Sequence, residues 1–519
     1  MSQILREEAP DLFVTLSSDL VPIINEYERT ATTAINCYLG PIISSYITDL
    51  SRQLRERGFR GSFMIMDSNG GVLPADEAAN QAVSLLTSGP VGGVFASLQL
   101  ANSMGYKNVI TTDMGGTSFD VSLIIDGRPL IAATSEVSKY HIIMPMVNIK
   151  AIGSGGGSIA YVEDGHLYVG PQSAGAHPGP SCYGLGGIRP TVTDADVVLG
   201  IIDPDYFLGG RIKLDRANAE EAIRVHVAEP LGLSVTEAAA GIRTIVDNRM
   251  ADLLRTMTVE KGYDSRDFVL FAYGGGGATH ASVFGVEANV QAIVVPRTAP
   301  VHSAFGAVAT DLHRTSNLSD LMRTPPFFEV ASQHLDPVRI EQRFKQLEAR
   351  CREGLARSGV ETESIIFYRS LDMRYRRQVN ELIVQAGPRT IDATSVDALV
   401  DRFEKKYEEL YGKGAAFREA GIEITTFRVD AVAPVVKPAL RRYESNGSDT
   451  VSALVGERRV YFNEVGDYAT TRVYMAERLS AGAVIEGPAI IEHPGTTIVI
   501  GPTQRGRIDE FLNTIIEIE

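Results

Sequence analysis

Apolar residues recur at helical spacing in four long segments of the chain. From Tyr27 to Gly58, apolar positions three and four residues apart predict a helix that ends at the glycine. Residues 234–262 repeat this pattern, and Ser234 and Glu237 carry the capping-box signature that begins a helix. The same spacing predicts helices over residues 337–357 and 396–411. Strand-like runs lie between these segments, so the pattern favours an α/β chain.

Short apolar runs bounded by turn residues predict the strands. The sequence 110-ITTDMGGTSFDVSLI-124 has two such runs around Gly-Gly-Thr, which predicts a β-hairpin over residues 108–125. Residues 268–272 predict a strand that leads into four glycines and then a short helix over about 278–284. Beyond residue 325, helices alternate with many strand-like runs. This last part of the chain reads as a separate, β-rich α+β domain.

Composition limits the class of protein. A length of 519 residues suggests about two to four domains. A net charge of -15 argues against nucleic acid or an anionic membrane as the main partner. The three cysteines are far apart and form no metal-binding spacing. With no apolar run long enough for a membrane span and no signal-peptide pattern, we expect a cytoplasmic globular protein.

The glycine turn of the predicted hairpin has the composition of a phosphate site. Consecutive backbone N–H groups at Gly115 and Gly116 can form an anion nest, and Thr117 adds a hydroxyl donor. Asp113 can hold Mg²⁺, and Asp120 can join the metal shell or cap the turn. The alternative is a tight hairpin whose glycines and aspartates serve only the turn. Sequence alone leaves both interpretations open.

A second glycine run has the same two interpretations. Gly274–Gly277 lies between a predicted strand and a predicted helix, where bare backbone and a helix N-terminus suit the ribose or phosphates of a nucleotide. Close packing of the helix against the strand would also require small residues there. The glycine-rich stretch over residues 153–190 includes strand-like runs, so we expect it to be ordered.

The order of these blocks resembles a known group of proteins. Two glycine sites in this order resemble the actin/sugar kinase/Hsp70-like ATPase fold, in which ATP lies between two subdomains. Nine blocks together resemble the hydantoinase A/5-oxoprolinase family, which includes caprolactamase and the acetone and acetophenone carboxylases: EYERTATTAINCYLGP, DSNGG, TSGPVGG, DMGGTSFDV, GSGGGSIA, GPQSAGAHPGPSCYG, PTVTDAD, YGGGGATHA and VHSAFGA. The resemblance spans about residues 17–325 and continues more weakly to the C-terminal end.

The resemblance implies roles for particular residues. ATP phosphates and Mg²⁺ would be held at Asp113, Gly115, Gly116 and Thr117, with Asp120 supporting the turn. The adenosine side would be lined by Gly274, Gly275, Gly276 and Gly277, and residues 303–306 would form a helix that closes the cleft. The loop of Gly155, Gly156, Gly157 and Ser158 would face the transferred phosphoryl group or the substrate. Asp113, Thr117 and Asp194 would be the catalytic residues, with Asp113 holding the metal.

The resemblance also implies an architecture. Residues 1–35 would be a remnant of an N-terminal subdomain, residues 36–325 the ATPase core with an incomplete first subdomain, and residues 326–519 the C-terminal α+β domain. The family's first phosphate loop, Asp-x-Gly-Gly-Thr, has no second copy in this sequence. We therefore expect a separate chain to carry that loop, or an incomplete or non-catalytic copy.

The implied function is that of an ATP-binding subunit. It would phosphorylate a carbonyl or enol oxygen of a cyclic amide before hydrolysis, in partnership with a hydantoinase B-like subunit. The alternatives are a subunit of an ATP-dependent ketone carboxylase with the same activation step and a non-catalytic scaffold subunit. The sugar kinases fit less well, because they lack the GPQSAGAHPGP and PTVTDAD blocks.

Three residues differ from the family pattern. Asn148 and Lys150 stand where many relatives have aspartate and histidine, and Lys150 is a candidate contact for a phosphorylated intermediate. Arg377 stands where relatives often have glycine. The histidines show no metal-ligand spacing, so we assign no metal to any of them.

Overall fold

A computed structural model describes residues 2–132, 135–137, 139–357, 361–387, 390–445, 447 and 450–518. Its α-helices are α1 (Ser2–Glu8), α2 (Ser17–Leu20), α3 (Glu26–Glu56), α4 (Ala75–Asn80), α5 (Ser88–Met104), α6 (Val192–Val198), α7 (Phe207–Gly210), α8 (Arg216–Ile223), α9 (Glu229–Leu231), α10 (Val235–Val259), α11 (Gly277–Glu287), α12 (His302–Ala309), α13 (Pro337–Arg357) and α14 (Ala393–Tyr411).

The strands of the first half are β1 (Met64–Met66), β2 (Val72–Pro74), β3 (Val109–Met114), β4 (Phe119–Ile125), β5 (Arg128–Pro129), β6 (Ile131–Ala132), β7 (Ser135–Val137), β8 (Tyr140–Ile142), β9 (Met146–Val147), β10 (Lys150–Ile152), β11 (Ser158–Glu163) and β12 (His166–Ser173). Those of the second half are β13 (Val269–Tyr273), β14 (Ala292–Val295), β15 (Leu312–Arg323), β16 (Ile366–Tyr375), β17 (Leu382–Gln385), β18 (Ile422–Ala433), β19 (Leu454–Phe462), β20 (Asp467–Met475), β21 (Val484–Glu486), β22 (Ala489–His493), β23 (Thr496–Ile500), β24 (Arg505–Ile508) and β25 (Thr514–Glu517).

The chain divides into two compact units, each built from three separate stretches. The first unit comprises Met1–Ser88, Ile131–Met146 and Thr310–Val436, and the second comprises Gly89–Leu130, Val147–Ala309 and Lys437–Glu519. Residues 326–436 therefore lie in the first unit, and residues 437–519 lie in the second. The domain boundaries inferred from the sequence, at residues 35 and 325, stay predictions.

The first unit is organised around an antiparallel sheet in the order β15-β18-β16-β17. Helix α13 lies against β15 and β18. It buries Ile340, Phe344 and Leu347, which recur at the spacing of one helix face, in the core of this unit. The long helix α3 also belongs to this unit, and its bounds confirm the helix predicted from Tyr27.

The second unit contains the larger sheet, in the order β10-β4-β3-β13-β14-β25-β24-β21. Strands β3, β13 and β14 are parallel, and β4 returns antiparallel to β3. Strand β13 is buried at every position, as its apolar sequence VLFAY predicts. Helices α6, α10 and α11 contribute to the core against this sheet. The predicted hairpin, the capped helix from Ser234 and the strand before the second glycine run are all confirmed.

Candidate functional site

The hairpin of β3 and β4 brings together the two aspartates that flank the glycine turn. Asp113 and Asp120 are directly opposed across the antiparallel strands. Directly opposed residues share a face of the sheet, so both carboxylates lie on one side of the hairpin. The turn between them closes with a hydrogen bond from Gly115 N to Ser118 O of 3.2 Å.

Burial raises the pKa of both carboxyl groups. It raises the pKa of Asp113, and the hydroxyl of Ser303, which donates to Asp113 Oδ2 at 2.9 Å, opposes that rise. Burial also raises the pKa of Asp120 to about 6, partly offset by the Ser118 hydroxyl and increased by the charge of Asp113. Two adjacent carboxylates that resist ionisation together are suited to hold a hard cation.

Neither packing nor backbone strain explains the glycines at the tip of this turn. A Cβ built on Gly115 or Gly116 meets no atom of the described residues within 4 Å, and neither glycine has the positive φ that favours this residue type. Both residues are exposed and line a cavity of about 240 Å³. Bare backbone facing an open cavity is suited to the close approach of a ligand.

The loop of residues 153–158 packs directly on this turn. Gly156 N donates to Gly115 O at 3.0 Å, and Gly157 N donates to Gly116 O at 2.7 Å. A Cβ on Gly155 would lie 2.5 Å from Thr117 N, so close packing alone requires that glycine. Gly156 lines the cavity.

Two residues of the predicted site are committed to structure. Ser158 is fully buried, and its Oγ accepts from Gly155 N at 2.9 Å and donates to Gly153 O at 3.2 Å. Asp194 is also fully buried and forms a capping box with Thr191 at the start of α6. Its carboxylate accepts from the backbone N–H groups of Ser181, Cys182 and Thr191, at 3.2, 2.7 and 2.8 Å. This placement supports a structural role for Asp194, and its catalytic role stays a prediction.

The second glycine run meets the hairpin at the same cavity. Gly276 N donates to Met114 O at 3.0 Å, because β13 lies parallel to β3 and both strands end at this edge. Gly274 has a φ of 81° and a Cβ there would lie 2.4 Å from Met114 O, so this position requires glycine. Gly275 and Gly276 line the cavity. Gly277 is buried and begins α11.

A C-terminal segment completes the cavity, and the sequence analysis gave it no role. The hairpin of β22 and β23 brings residues 493–497 to the cavity wall. Thr496 Oγ1 donates to Gly275 O at 2.9 Å, and Thr279 Oγ1 donates to Thr497 O at 2.9 Å. Tyr206 and Phe207 line the opposing apolar part. About two hundred residues separate these partners, so no local pattern marks the contact.

A buried ionic network borders the same cavity, whose lining includes Asp196 and His280. His280 contacts two carboxylates: its Nδ1 lies 2.6 Å from Asp247 Oδ1, and its Nε2 lies 3.3 Å from Asp196 Oδ2. Arg243 pairs with Asp196 at 2.5 Å and donates to Thr279 O at 2.6 Å. Burial alone would lower the pKa of His280, but Asp196 and Asp247 outweigh burial and raise it to about 8. The network therefore joins α6, α10 and α11 around a charged imidazole.

Other candidate residues lie away from the cavity. Lys150 is the cross-strand neighbour of Val121, so its side chain lies on the face opposite to that of Asp120, 4.0 Å from Glu260. His302 contacts the hydroxyls of Ser97 and Thr298 and serves packing. Within the described ranges, no group of three or more His, Cys, Asp or Glu residues could hold a metal ion. The same ranges contain no helix suited to crossing a membrane.

Two family models match the chain. The model described as hydantoinase/oxoprolinase matches residues 29–316, and that of the hydantoinase/oxoprolinase C-terminal domain matches residues 331–518. Together they include every residue assigned above to the cavity.

Three known proteins show the same relationship over nearly the whole chain. The acetophenone carboxylase gamma subunit of Aromatoleum aromaticum is 38% identical, over 99% of this chain and 71% of its own length. The nucleotide-free structure of acetone carboxylase superposes with a TM-score of 0.87 at 29% identity, covering 99% of this chain and 73% of that one. The ATP-dependent caprolactamase from Pseudomonas jessenii superposes with a TM-score of 0.82 at 35% identity, covering 99% and 74%. The chain belongs to the hydantoinase/oxoprolinase family of enzymes.

Proposed function

We propose that this chain is the ATP-binding subunit of an ATP-dependent amidohydrolase that phosphorylates a substrate carbonyl or enol oxygen before hydrolysis. The cavity beside Gly115 and Gly116 takes the nucleotide, with its phosphates at the turn of residues 115–117. The observation that carries this proposal is the open space next to Gly115 and Gly116. The described residues leave that space empty, and neither packing nor backbone conformation requires glycine at these two positions.

The arrangement around the cavity supports an actin/sugar kinase/Hsp70-like ATPase core. In that fold a phosphate hairpin and an adenosine-side glycine loop face one nucleotide. Here the turn after β3 and the loop after β13 end at the same edge of one sheet and line one cavity. Phosphates at Gly115–Thr117 would leave the ribose and base to lie along Gly275–Gly276 and the C-terminal hairpin.

The two carboxylates of the hairpin fit the magnesium ion that accompanies ATP. Asp113 and Asp120 share one face next to the phosphate turn. Their pKa values are raised because burial makes the charged carboxylates costly, and a bound cation would offset that cost. Mg²⁺ would neutralise charge on the phosphate oxygens. Thr117, exposed at the tip of the turn, can donate to a phosphate oxygen.

The chemistry then divides into activation and displacement. Transfer of the terminal phosphoryl group breaks its bond to ADP and forms a bond to the substrate oxygen. Water then attacks the activated carbon, and the ring C–N bond breaks as the nitrogen takes up a proton, which leaves an acyl phosphate. A second water hydrolyses the acyl phosphate and releases phosphate. The contribution of this chain is to hold the phosphates in the orientation that the reaction needs. Such positioning supplies much of the rate enhancement in phosphoryl transfer.

A ketone carboxylase subunit is the second candidate. Identity to the acetophenone carboxylase gamma subunit, at 38%, is close to that with the caprolactamase, at 35%, so overall likeness favours neither reaction. The activation step is the same, but the enol carbon of the phosphorylated ketone then attacks carbon dioxide to form a C–C bond, while water takes up the phosphoryl group and phosphate is released. The subunit name of the first relative supports a separate partner, for which we propose a hydantoinase B-like chain, together with any chain that supplies a second phosphate loop.

Calorimetric titration with ATP and Mg²⁺ tests the proposal, on the chain alone and with its co-expressed partners. We expect micromolar binding by the wild type and a loss of at least about tenfold in Asp113→Asn, since a hydrogen bond or ion contact with a charged group contributes about 1.5–3 kcal/mol. Asp126→Asn is the matched control, because Asp126 is an exposed residue in the turn at the far end of the same hairpin. Absence of ATP binding in every preparation would contradict the proposal.

A further inference from the structure

At the cavity, one oxygen of an acidic side chain has no hydrogen-bond partner among the described residues. Glu492 lies on β22, its side chain is 7% exposed, and it lines the cavity together with Ile202, Tyr206 and Phe207. A carboxylate at so apolar a position is costly unless both of its oxygens have partners. Its two oxygens differ in this respect.

The first oxygen is fixed by an arginine. Glu492 Oε1 lies 2.5 Å from Arg458 Nη1. The guanidinium of Arg458 is itself held by the carbonyl oxygens of Gly200 and Ile201, at 2.9 and 2.6 Å. Asp203 Oδ2 lies 3.4 Å from the same Nη1. The Glu492 side chain is therefore held in one orientation.

The second oxygen remains available to a ligand. Within the described part of the chain, Glu492 Oε2 accepts no hydrogen bond. This oxygen is also not sealed from solvent. Because the side chain lines the cavity, Oε2 is an acceptor that a ligand in the cavity can reach.

We propose that Glu492 determines the base specificity of this site by accepting a hydrogen bond from the exocyclic amino group of adenine. This inference rests on the proposed function, in which the cavity takes ATP. Adenine carries one amino donor, N6, on its six-membered ring edge, and the apolar side chains nearby can contact its ring faces. Guanine has an acceptor, O6, at that position and would face the carboxylate with like polarity.

The fixed first oxygen strengthens this preference. Guanine binds a carboxylate best through two adjacent donors, N1–H and the 2-amino group, which need both oxygens. Arg458 holds Oε1 on its own side, which leaves Oε2 as the oxygen without a partner, and this oxygen matches the single amino group of adenine. Arg458 and Glu492 thus act together, with Arg458 as a positioning residue.

The test removes the donor from the ligand and the acceptor from the protein. Calorimetry measures binding of ATP and of purine riboside 5′-triphosphate, which lacks only the amino group, to the wild type, Glu492→Gln and Glu457→Gln. We expect the wild type to prefer ATP by about tenfold or more, as for a hydrogen bond to a charged group. We expect Glu492→Gln to lose that preference. Glu457→Gln removes an exposed charge next to Arg458 and should keep it.

Each outcome bears on the inference. Equal binding of the two nucleotides by the wild type would overturn the role of Glu492 while leaving the proposed nucleotide site intact. A preference for ATP that survives in Glu492→Gln would also overturn the role of Glu492, whether or not both nucleotides bind that variant more weakly. Binding of neither nucleotide would overturn the proposed function itself. If Glu492→Gln fails to fold, equal binding of the two nucleotides by the wild type would still overturn the role of Glu492.

Discussion

The charge on His280 gives a prediction about how stability depends on pH. The folded protein holds this imidazole at a pKa of about 8, against an ordinary value of 6.5. Below pH 6.5 both the folded and the unfolded chain are protonated, and the contribution of the pairs with Asp196 and Asp247 is complete. Between pH 6.5 and 8 only the folded chain keeps the proton, so stability falls as pH rises, and above pH 8 the contribution is lost.

The size of the effect follows from the same values. A pKa difference of about 1.5 corresponds to about 2 kcal/mol, at 1.36 kcal/mol for each unit. His280 and both carboxylates are buried, so solvent screening reduces this little. Other charges face the same group: Arg243 pairs with Asp196 and Asp247, and Glu464 interacts with Arg243. The pKa of Asp196 is lowered and that of Arg243 is raised, so neither of these two groups titrates between pH 6 and 9.

The assay compares the wild type with His280→Gln in urea, followed by circular dichroism from pH 6 to 9. We expect the difference in unfolding free energy to shrink by about 2 kcal/mol over that range. His302→Gln is the matched control of opposite sign. Burial lowers the pKa of His302 to about 3, so its contribution is present above pH 6.5 and falls by about 1.4 kcal/mol per pH unit below it. A His280 difference that stays constant with pH would refute the reasoning.

Three further substitutions test the packing of the site and of the first unit. Asp194→Ala should lower the unfolding free energy by about 3 kcal/mol or more, since it leaves buried amides such as that of Cys182 without an acceptor; urea unfolding measures this, and a change below about 1 kcal/mol would contradict it. Gly155→Ala should lower both stability, by about 1–3 kcal/mol, and ATP affinity, because its Cβ would lie 2.5 Å from Thr117 N; an unchanged melting temperature would argue against that contact. Arg377→Gly should raise the unfolding free energy by up to about 1 kcal/mol, since Arg377 has a φ of 71°; calorimetric melting checks the sign.

The sequence predicted the local parts of the site and missed its long-range parts. The hairpin and the second glycine run follow from apolar runs and glycines that are adjacent in sequence, and both are confirmed as structural elements. Asp194 was predicted to be catalytic, which stays a prediction, and Thr191-Val-Thr-Asp194 carries the capping-box spacing that signals its structural role. The pairing of His280 with Asp196 and Asp247 depends on the packing of three helices, which no local pattern encodes.

The division of the chain into compact units also depends on contacts between distant residues. The domain boundary inferred near residue 325 stays a prediction, and residues 310–436 and 437–519 belong to different compact units. Strand β25 pairs with β14 in the large sheet, more than two hundred residues earlier in the chain. Strand pairing at that distance depends on burial in the folded sheet, and the apolar sequence of β25 would fit either unit.

The central claim is that a nucleotide phosphate approaches the bare backbone at Gly116, and Gly116→Ala tests it most directly. The added methyl group would lie in open space, with no atom of the described residues within 4 Å, and Gly116 lines the cavity, so we expect the fold to stay unchanged. Calorimetry with ATP and Mg²⁺ should show a loss of affinity of at least about tenfold, with the melting temperature of the free protein unchanged or slightly higher. Unchanged ATP affinity in a folded Gly116→Ala protein would contradict the account.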